Sequence, residues 1–168
     1  MRDGKVVQID TPDHVYARPA NLFSAEFIGS PPMNLLRGQV CEVNDTLLFV
    51  CSDSSVPNIT IADSLGVSCE LFGQCKEIVL GVRPEHLDIA SPGAATAASA
   101  VVTLRQRTGP EVILYLRTNG SKLIARIHPG SQFKAGDTVS VNFPNENLHF
   151  FDAETGNAIW SPKQEDRP

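Results

Sequence analysis

A mainly β body, made of short strands that close into a small barrel and led by two short helices, is the architecture this sequence predicts. Three observations predict it. From Leu36 onward apolar residues recur with a period of two, as they do on a half-buried strand. Asn119-Gly120 separates two such alternating runs and marks a hairpin, because both residues tolerate positive φ. Before residue 34 the pattern is different: capping residues, prolines and a glycine punctuate two brief helical stretches.

The elements follow in order. Thr11 is a good N-cap, Pro12 suits the first helical position and Asp13 favours the positive end of the helix dipole. This helix runs to about Arg18 and stops before Pro19. Asn21 caps a second helix, 22–28, in which Phe23 and Phe27 are four apart and share a face. Gly29 ends it, and Ser30-Pro31-Pro32 prevents its continuation. Two helices this short cannot stand alone, so their apolar faces must meet the barrel, a second copy or solvent.

The strand pattern then takes over. Leu36, Gly38 and Val40 alternate with Arg37, Gln39 and Cys41, and Ile59 and Ile61 alternate with Thr60 and Ala62. An apolar strand at 78–82 runs into Arg83-Pro84-Glu85-His86, where Pro84 fixes φ and restricts Arg83, so a stiff corner is expected. Val112, Leu114 and Leu116 form one face, and Leu123, Ala125 and Ile127 another. A last clean strand carries Val139, Val141 and Phe143 after a turn at Gly136-Asp137, and Leu148 and Phe150 add a short closing strand. The count is roughly nine or ten strands. Small residues at 91–99 read as a surface connection dividing the β region into halves of similar length, and the tail 161–168 as frayed.

Composition narrows the function. The chain has 168 residues, is 42% hydrophobic and 20% charged, and can bury a real core. No apolar run approaches the roughly 20 residues that span a bilayer. The N-terminus carries an acid, Asp3, among its first residues and has no long apolar stretch behind it, so a signal peptide is not expected and a cytoplasmic location is. Cys41, Cys51, Cys69 and Cys75 contain no Cys-x-x-Cys pair and no histidine at zinc-ligand spacing, so they read as small buried hydrophobes rather than a metal site. The net charge of −5 is unevenly placed: eight acidic and three basic residues lie within 36–90, against six basic and two acidic within 98–143. Solvated strand faces account for this, as does complementarity between lobes or between two copies, and an anion-binding groove is the third reading. Single-strand nucleic-acid binding needs a basic groove with stacking aromatics, which an acidic chain with 7% aromatics does not offer. No Gly-x-x-x-x-Gly-Lys-Ser/Thr loop occurs, so ATP binding and hydrolysis are not expected of this chain.

Some residues have two readings. Arg83 would pair with a carboxylate and His86 with backbone if the corner is structural; the same run exposed would be a partner contact. Alternation buries one of Phe150 and Phe151 and leaves the other to cover an edge or meet a second copy. His149 between them reads as a rim residue rather than a ligand.

The runs Asp3-Gly4-Lys5 to Gln8, Thr11-Pro12, Val15-Tyr16, Pro19-Ala20-Asn21, Phe27-Ile28-Gly29-Ser30-Pro31 and Met33-Asn34 resemble the end of the nucleotide-binding domain of maltose-type and glycerol-phosphate-type ABC importer ATPases. Gly81-Val82-Arg83-Pro84-Glu85-His86, Leu148-His149-Phe150-Phe151-Asp152 and Thr155-Gly156 are similar to the C-terminal domain that follows, often called TOBE. The resemblance covers nearly the whole chain. It implies an OB-like (TOBE/MOP-like) barrel at 35–160, the tail of the ATPase domain at 1–34, and a fragment or truncated form of a longer subunit. It further implies a non-catalytic regulatory and homodimerisation role in carbohydrate import. ATP and Mg, the membrane permease subunits and a cytosolic regulatory protein would then belong to the complete assembly at the inner face of the plasma membrane. The residues expected to matter for structure or association are Phe23, Phe27, Gly81, Arg83, Pro84, Glu85, His86, His149, Phe150 and Phe151. The competing reading is a sensor of a small oxyanion or sugar, since related barrels bind oxyanions such as molybdate.

Overall fold

The computed structural model describes residues 4–62, 65–72, 77–93 and 97–162. Cys75 and residues 163–168 of the expected frayed tail lie outside them. Helices α1 (Pro12–Ala17) and α2 (Leu22–Phe27) start on the expected caps. Thr11 Oγ1 accepts from the His14 N–H at 3.4 Å and Asn21 Oδ1 from the Ser24 N–H at 2.9 Å. A third helix, α3 (Cys69–Phe72), has no counterpart in the sequence reading.

Among the described residues eleven strands form two antiparallel sheets. They are β1 (Asn34–Val43), β2 (Thr46–Cys51), β3 (Ile59–Ile61), β4 (Glu77–Val82), β5 (Asp88–Ala90), β6 (Ala98–Thr108), β7 (Glu111–Arg117), β8 (Lys122–Ile127), β9 (Thr138–Asn142), β10 (Leu148–Asp152) and β11 (Ala158–Trp160). One sheet has the order β11-β10-β4-β1-β2-β3 and the other β5-β9-β6-β7-β8. One core lies between them: Leu36, Val40, Phe49, Leu80 and Phe150 from the first sheet meet Val102, Leu114, Leu123, Val139 and Val141 from the second. The alternation predicted the inward faces that carry Leu36 and Val40, Leu114, Leu123, and Val139 and Val141, because a pleated strand sends every second side chain to the same side.

The chain passes from the first sheet to the second at the corner after β4, since β5 already belongs to the second sheet, and a 3₁₀ turn at Pro84–His86 makes that corner. The expected short closing strand from Leu148 is β10, which pairs with β4 in the interior of the first sheet. One expectation is corrected: among the described residues the turn with two positive φ values is Asn44-Asp45 (51° and 60°), the two-residue link between Val43 and Thr46. Asn119-Gly120 does lie in a hairpin, between Arg117 and Lys122, but neither residue has positive φ.

A smaller core sits on the outer side of the first sheet, where Ala25 and Met33 pack on Val79 and Phe151, with Leu22 and Leu35 beside them. The N-terminal helices therefore dock on the barrel. They do so through the small-residue face of α2, whose Ser24 and Ala25 are buried. The phenylalanine face points away: Phe23 and Phe27 stack on each other at 5.5 Å, and Phe27 remains 72% exposed.

Candidate functional site

The polar groups converge on the seam between the N-terminal segment and the barrel. Arg83, the residue that follows β4, enters this seam and is the largest side chain among the described residues buried below 2% exposure. Its Nη1 donates to the Ile28 carbonyl at 2.5 Å and the Ala25 carbonyl at 3.3 Å, and Nη2 donates to the Tyr16 carbonyl at 2.7 Å. These carbonyls lie at the C-terminal ends of α2 and α1, where helices leave acceptors unsatisfied and favour positive charge. One guanidinium thus caps both helices. Its plane also lies over the Tyr16 ring, with Cζ 4.0 Å from the centroid, and Tyr16 Oη donates to Glu85 Oε1. Burial lowers the Arg83 pKa from its usual value, yet a guanidinium at neutral pH keeps its proton. Burial, the hydrogen bond to Glu85 and its charge push the Tyr16 pKa up to about 12.

Two glycines make this approach possible. Gly29 has φ 129°, and a Cβ there would lie 2.9 Å from Arg83 Nη1 and 3.1 Å from the Pro31 carbonyl oxygen. The Ser30-Pro31 peptide that follows is cis. Gly81 lets Met33 Sδ and Phe151 Cε2 approach to 2.5 Å and 2.9 Å of where its Cβ would stand. Any side chain at either position would push the helical segment off the sheet.

Other contacts close the seam. The Asn34 carboxamide acts as a substitute strand for β8: its Oδ1 accepts from the Ile124 N–H at 2.6 Å and its Nδ2 donates to the Ile124 carbonyl at 2.8 Å. Arg126 Nη2 donates to the Ser30 carbonyl at 3.1 Å. On the far side the Leu22 N–H donates to the Gly156 carbonyl at 2.8 Å and the Ala158 N–H to the Ala20 carbonyl at 2.9 Å. The seam is nonetheless richer in polar groups than in partners. Arg83 Nε, Glu85 Oε2, His86 Nδ1 and Arg126 Nε are all buried without a protein hydrogen bond. Such groups are uncommon in an interior that serves packing alone.

The sequence-predicted residues divide accordingly. Gly81, Arg83, Pro84, Glu85, His86, His149 and Phe151 come together at or beside the seam, whereas Phe150 lies in the central core and Phe23 and Phe27 on the outside of α2. Arg83 bonds to backbone carbonyls in place of the expected carboxylate, because three helix-terminal acceptors face it where it enters. The expected backbone bond from His86 is missing at its buried Nδ1. Both Phe150 and Phe151 are fully buried, which corrects the expectation that one is free. β10 is covered on both faces: Phe150 packs edge-on against Phe72 at 5.2 Å, and Phe151 lies in the core beneath α2. His149 is not a rim residue but only 3% exposed, with Nδ1 3.1 Å from Ser161 Oγ. Burial first, then the nearby Arg83 charge and His86, lower its pKa to about 3.

Sequence reasoning missed a second polar hub. Asp53 is 9% exposed and accepts from Ser55 Oγ at 2.6 Å, from the Ser55 N–H at 3.0 Å, from the Gly120 N–H at 3.2 Å and from Thr118 Oγ1. This carboxylate, not positive φ, shapes the Asn119-Gly120 hairpin. Burial alone would raise its pKa, but the bonds from Ser55 and Thr118 outweigh it and hold the carboxyl well below the usual carboxylate range. The only hint in the sequence was an Asp-x-Ser spacing, which marks countless ordinary turns. Asp53→Ala leaves the Ser55 and Gly120 N–H groups and the Ser55 hydroxyl without this acceptor and is expected to cost about 2 kcal/mol. Urea unfolding checks this, and a loss below about 0.5 kcal/mol would remove the hub.

Among the described residues no group of three or more His, Cys, Asp or Glu could hold a metal ion, and no helix is long and apolar enough to cross a membrane. Comparison with known proteins gives the seam its context. Residues 29–87 match the family model for the MalK OB-fold domain and residues 80–151 the model for the TOBE domain, so the two models meet on the Arg83 corner. The uncharacterized ABC transporter ATP-binding protein YcjV of Escherichia coli O157:H7 is 37% identical over 164 residues, covering 95% of this chain and 42% of that protein. The sn-glycerol-3-phosphate import ATP-binding protein UgpC of Paraburkholderia xenovorans is 35% identical over 158 residues, covering 93% of this chain and 42% of its own length. The chain thus spans about two fifths of the length of these relatives. Among solved structures, the cytoplasmic molybdate-binding protein ModG with molybdate bound superposes with a TM-score of 0.52 at 14% identity, over 70% of this chain and 94% of that one. At that identity the likeness concerns the fold alone.

Proposed function

From its membership of the MalK OB-fold and TOBE domain families, in the C-terminal part of ABC transporter ATP-binding proteins, we propose that this chain is a non-catalytic regulatory and dimerisation unit of a carbohydrate importer. It hydrolyses no ATP itself. In the longer subunit it would follow the ATPase, which binds ATP and Mg, on the cytoplasmic side, where membrane permease subunits and a cytosolic regulatory protein are the partners. The UgpC relative is named for sn-glycerol-3-phosphate import, which supports a small sugar or polyol as the kind of solute the longer subunit would serve.

The observation that supports this reading most directly is the Arg83 rivet. Residues 1–34 would be the tail of the ATPase domain, and a joint that must transmit rotation cannot be a loose linker. Here the last helices before the barrel are fastened by one guanidinium holding three carbonyls, by Asn34 and by Arg126. A displacement of those helices would move the barrel as one body.

Association has a candidate surface. Register places Val101, Leu104, Tyr115 and Ile124 in adjacent rows on the outer face of β6–β8, flanked by Arg117 and Lys122. Val101 and Leu104 are 42% and 52% exposed. Sedimentation of the purified chain at micromolar concentration is expected to give a dimer, and Leu104→Glu a monomer, with no ATP turnover in either. A monomeric parent chain would defeat the dimerisation part of the reading, and ATP turnover beyond contaminant controls its non-catalytic part.

A further inference from the structure

The two sheets leave a groove between them away from the seam, at the free sides of β3 and β5, the terminal strands of their respective sheets. Its volume is about 460 Å³, within the range of small-ligand sites. Polar lining comes from Asn58, Thr60, Asp88, Asn142 and Asn145, with Phe143 and its neighbours as the apolar part. Among the described residues lining it there is no lysine, arginine or histidine.

That inventory selects a ligand class. Three carboxamides and a hydroxyl both donate and accept, which matches vicinal hydroxyl groups, themselves donors and acceptors. Asp88 accepts from hydroxyls and repels anions. Phe143, Pro144 and Ile59 give the C–H face of a ring something to rest on. The geometry points to a binding site for a small neutral polyhydroxylated solute, a mono- or disaccharide or a short polyol.

The site is also organised before any ligand arrives. Asn145 Oδ1 accepts from the Ala62 N–H at 3.1 Å, which ties the loop after β9 to the end of β3 across the gap between sheets. Asp88 and Asn142 are direct partners in the β5–β9 ladder, so their side chains are held side by side. A solute held here touches both sheets and would stabilise their arrangement, which gives a domain without chemistry of its own a way to register solute level. This site is separate from the association surface, so its failure leaves the assembly reading standing, and the reverse holds too.

The test is saturation-transfer NMR and thermal unfolding of the whole chain with glucose, maltose and glycerol, and with sulfate and glycerol 3-phosphate as anionic controls. Saturable binding of at least one neutral solute is expected, with dissociation constants of about 1–10 mM for so open a groove. The melting temperature should rise with that solute. Asn142→Ala and Asp88→Ala should each weaken binding roughly ten-fold. If either variant does not fold, the exposed Thr60→Val serves the same purpose. No saturable binding of any neutral solute up to roughly 20 mM would overturn the proposal. So would binding that all folded variants leave unchanged, or a preference for the anions.

Discussion

Arg83→Ala is expected to destabilise the chain by about 3–5 kcal/mol, the scale seen when one partner of a buried charged network is removed. The substitution leaves the Tyr16, Ala25 and Ile28 carbonyls without their shared donor and a void the size of a guanidinium stem beneath α1 and α2. Tyr16 loses its cation and Glu85 the positive charge beside it. Damage should be localised first. The barrel core is built from other residues, so the N-terminal segment should open before the sheets do. Limited proteolysis would then cut within residues 4–30 of the variant under conditions that spare the parent. Arg83→Lys keeps the charge but offers a single compact ammonium where a planar fork reaches three carbonyls, and should recover less than half of the loss. A denaturation midpoint for Arg83→Ala within about 1 kcal/mol of the parent would mean that the rivet does not hold the segment.

Much of this architecture was legible in the sequence because it rests on local rules. Thr11 and Asn21 are capping signals that act within one helical turn, and each is found capping the helix its position predicts. Inward faces such as Val112, Leu114 and Leu116 follow from a period of two, whatever the strand eventually pairs with. Pairing itself is different. That β10 lies beside β4 depends on contacts about seventy residues apart, and nothing in Leu148-His149-Phe150 says which strand will receive it. The same limit explains the misjudged side chains. His149 and Phe151 look like exposed or edge residues only if the outer face of their sheet is bare, and it is covered by residues more than a hundred positions earlier.

The two polar hubs show where chemistry escapes pattern. Asp53 organises a loop sixty-five residues away, at Thr118, through hydrogen bonds that any aspartate in any turn is able to make. Arg83 was singled out by its motif, yet its partners are main-chain carbonyls, which carry no residue identity and so leave no trace in a sequence. Both hubs tie separate segments together, and both are charged. Their cost of burial is offset only in the assembled fold, which makes them sensitive reporters of whether it is assembled.

His149 turns that sensitivity into a pH dependence. Its pKa is held at about 3 in the folded chain by burial, by the Arg83 guanidinium and by His86, against about 6.5 in an unfolded chain. Above about pH 7 neither state is protonated and the residue is silent. As pH falls below about 6.5 the unfolded state takes up a proton that the folded state refuses, so stability is lost progressively until about pH 3. The slope is about 1.4 kcal/mol per pH unit, which amounts to about 2–3 kcal/mol by pH 4.5. Asp53 works in the same direction but at lower pH, because an unfolded aspartate protonates only near pH 4. The interval between pH 6.5 and 4.5 therefore separates the contribution of His149 from that of Asp53. Emission of the single tryptophan, Trp160, which packs 6.1 Å from Phe150, follows unfolding by urea across that interval. His149→Gln keeps a hydrogen-bonding group near Ser161 without a titrating ring, and should flatten the curve between pH 6.5 and 4.5 even if it lowers stability overall. An unchanged slope in that variant would assign the acid sensitivity to other groups and show that His149 is not held neutral by its surroundings.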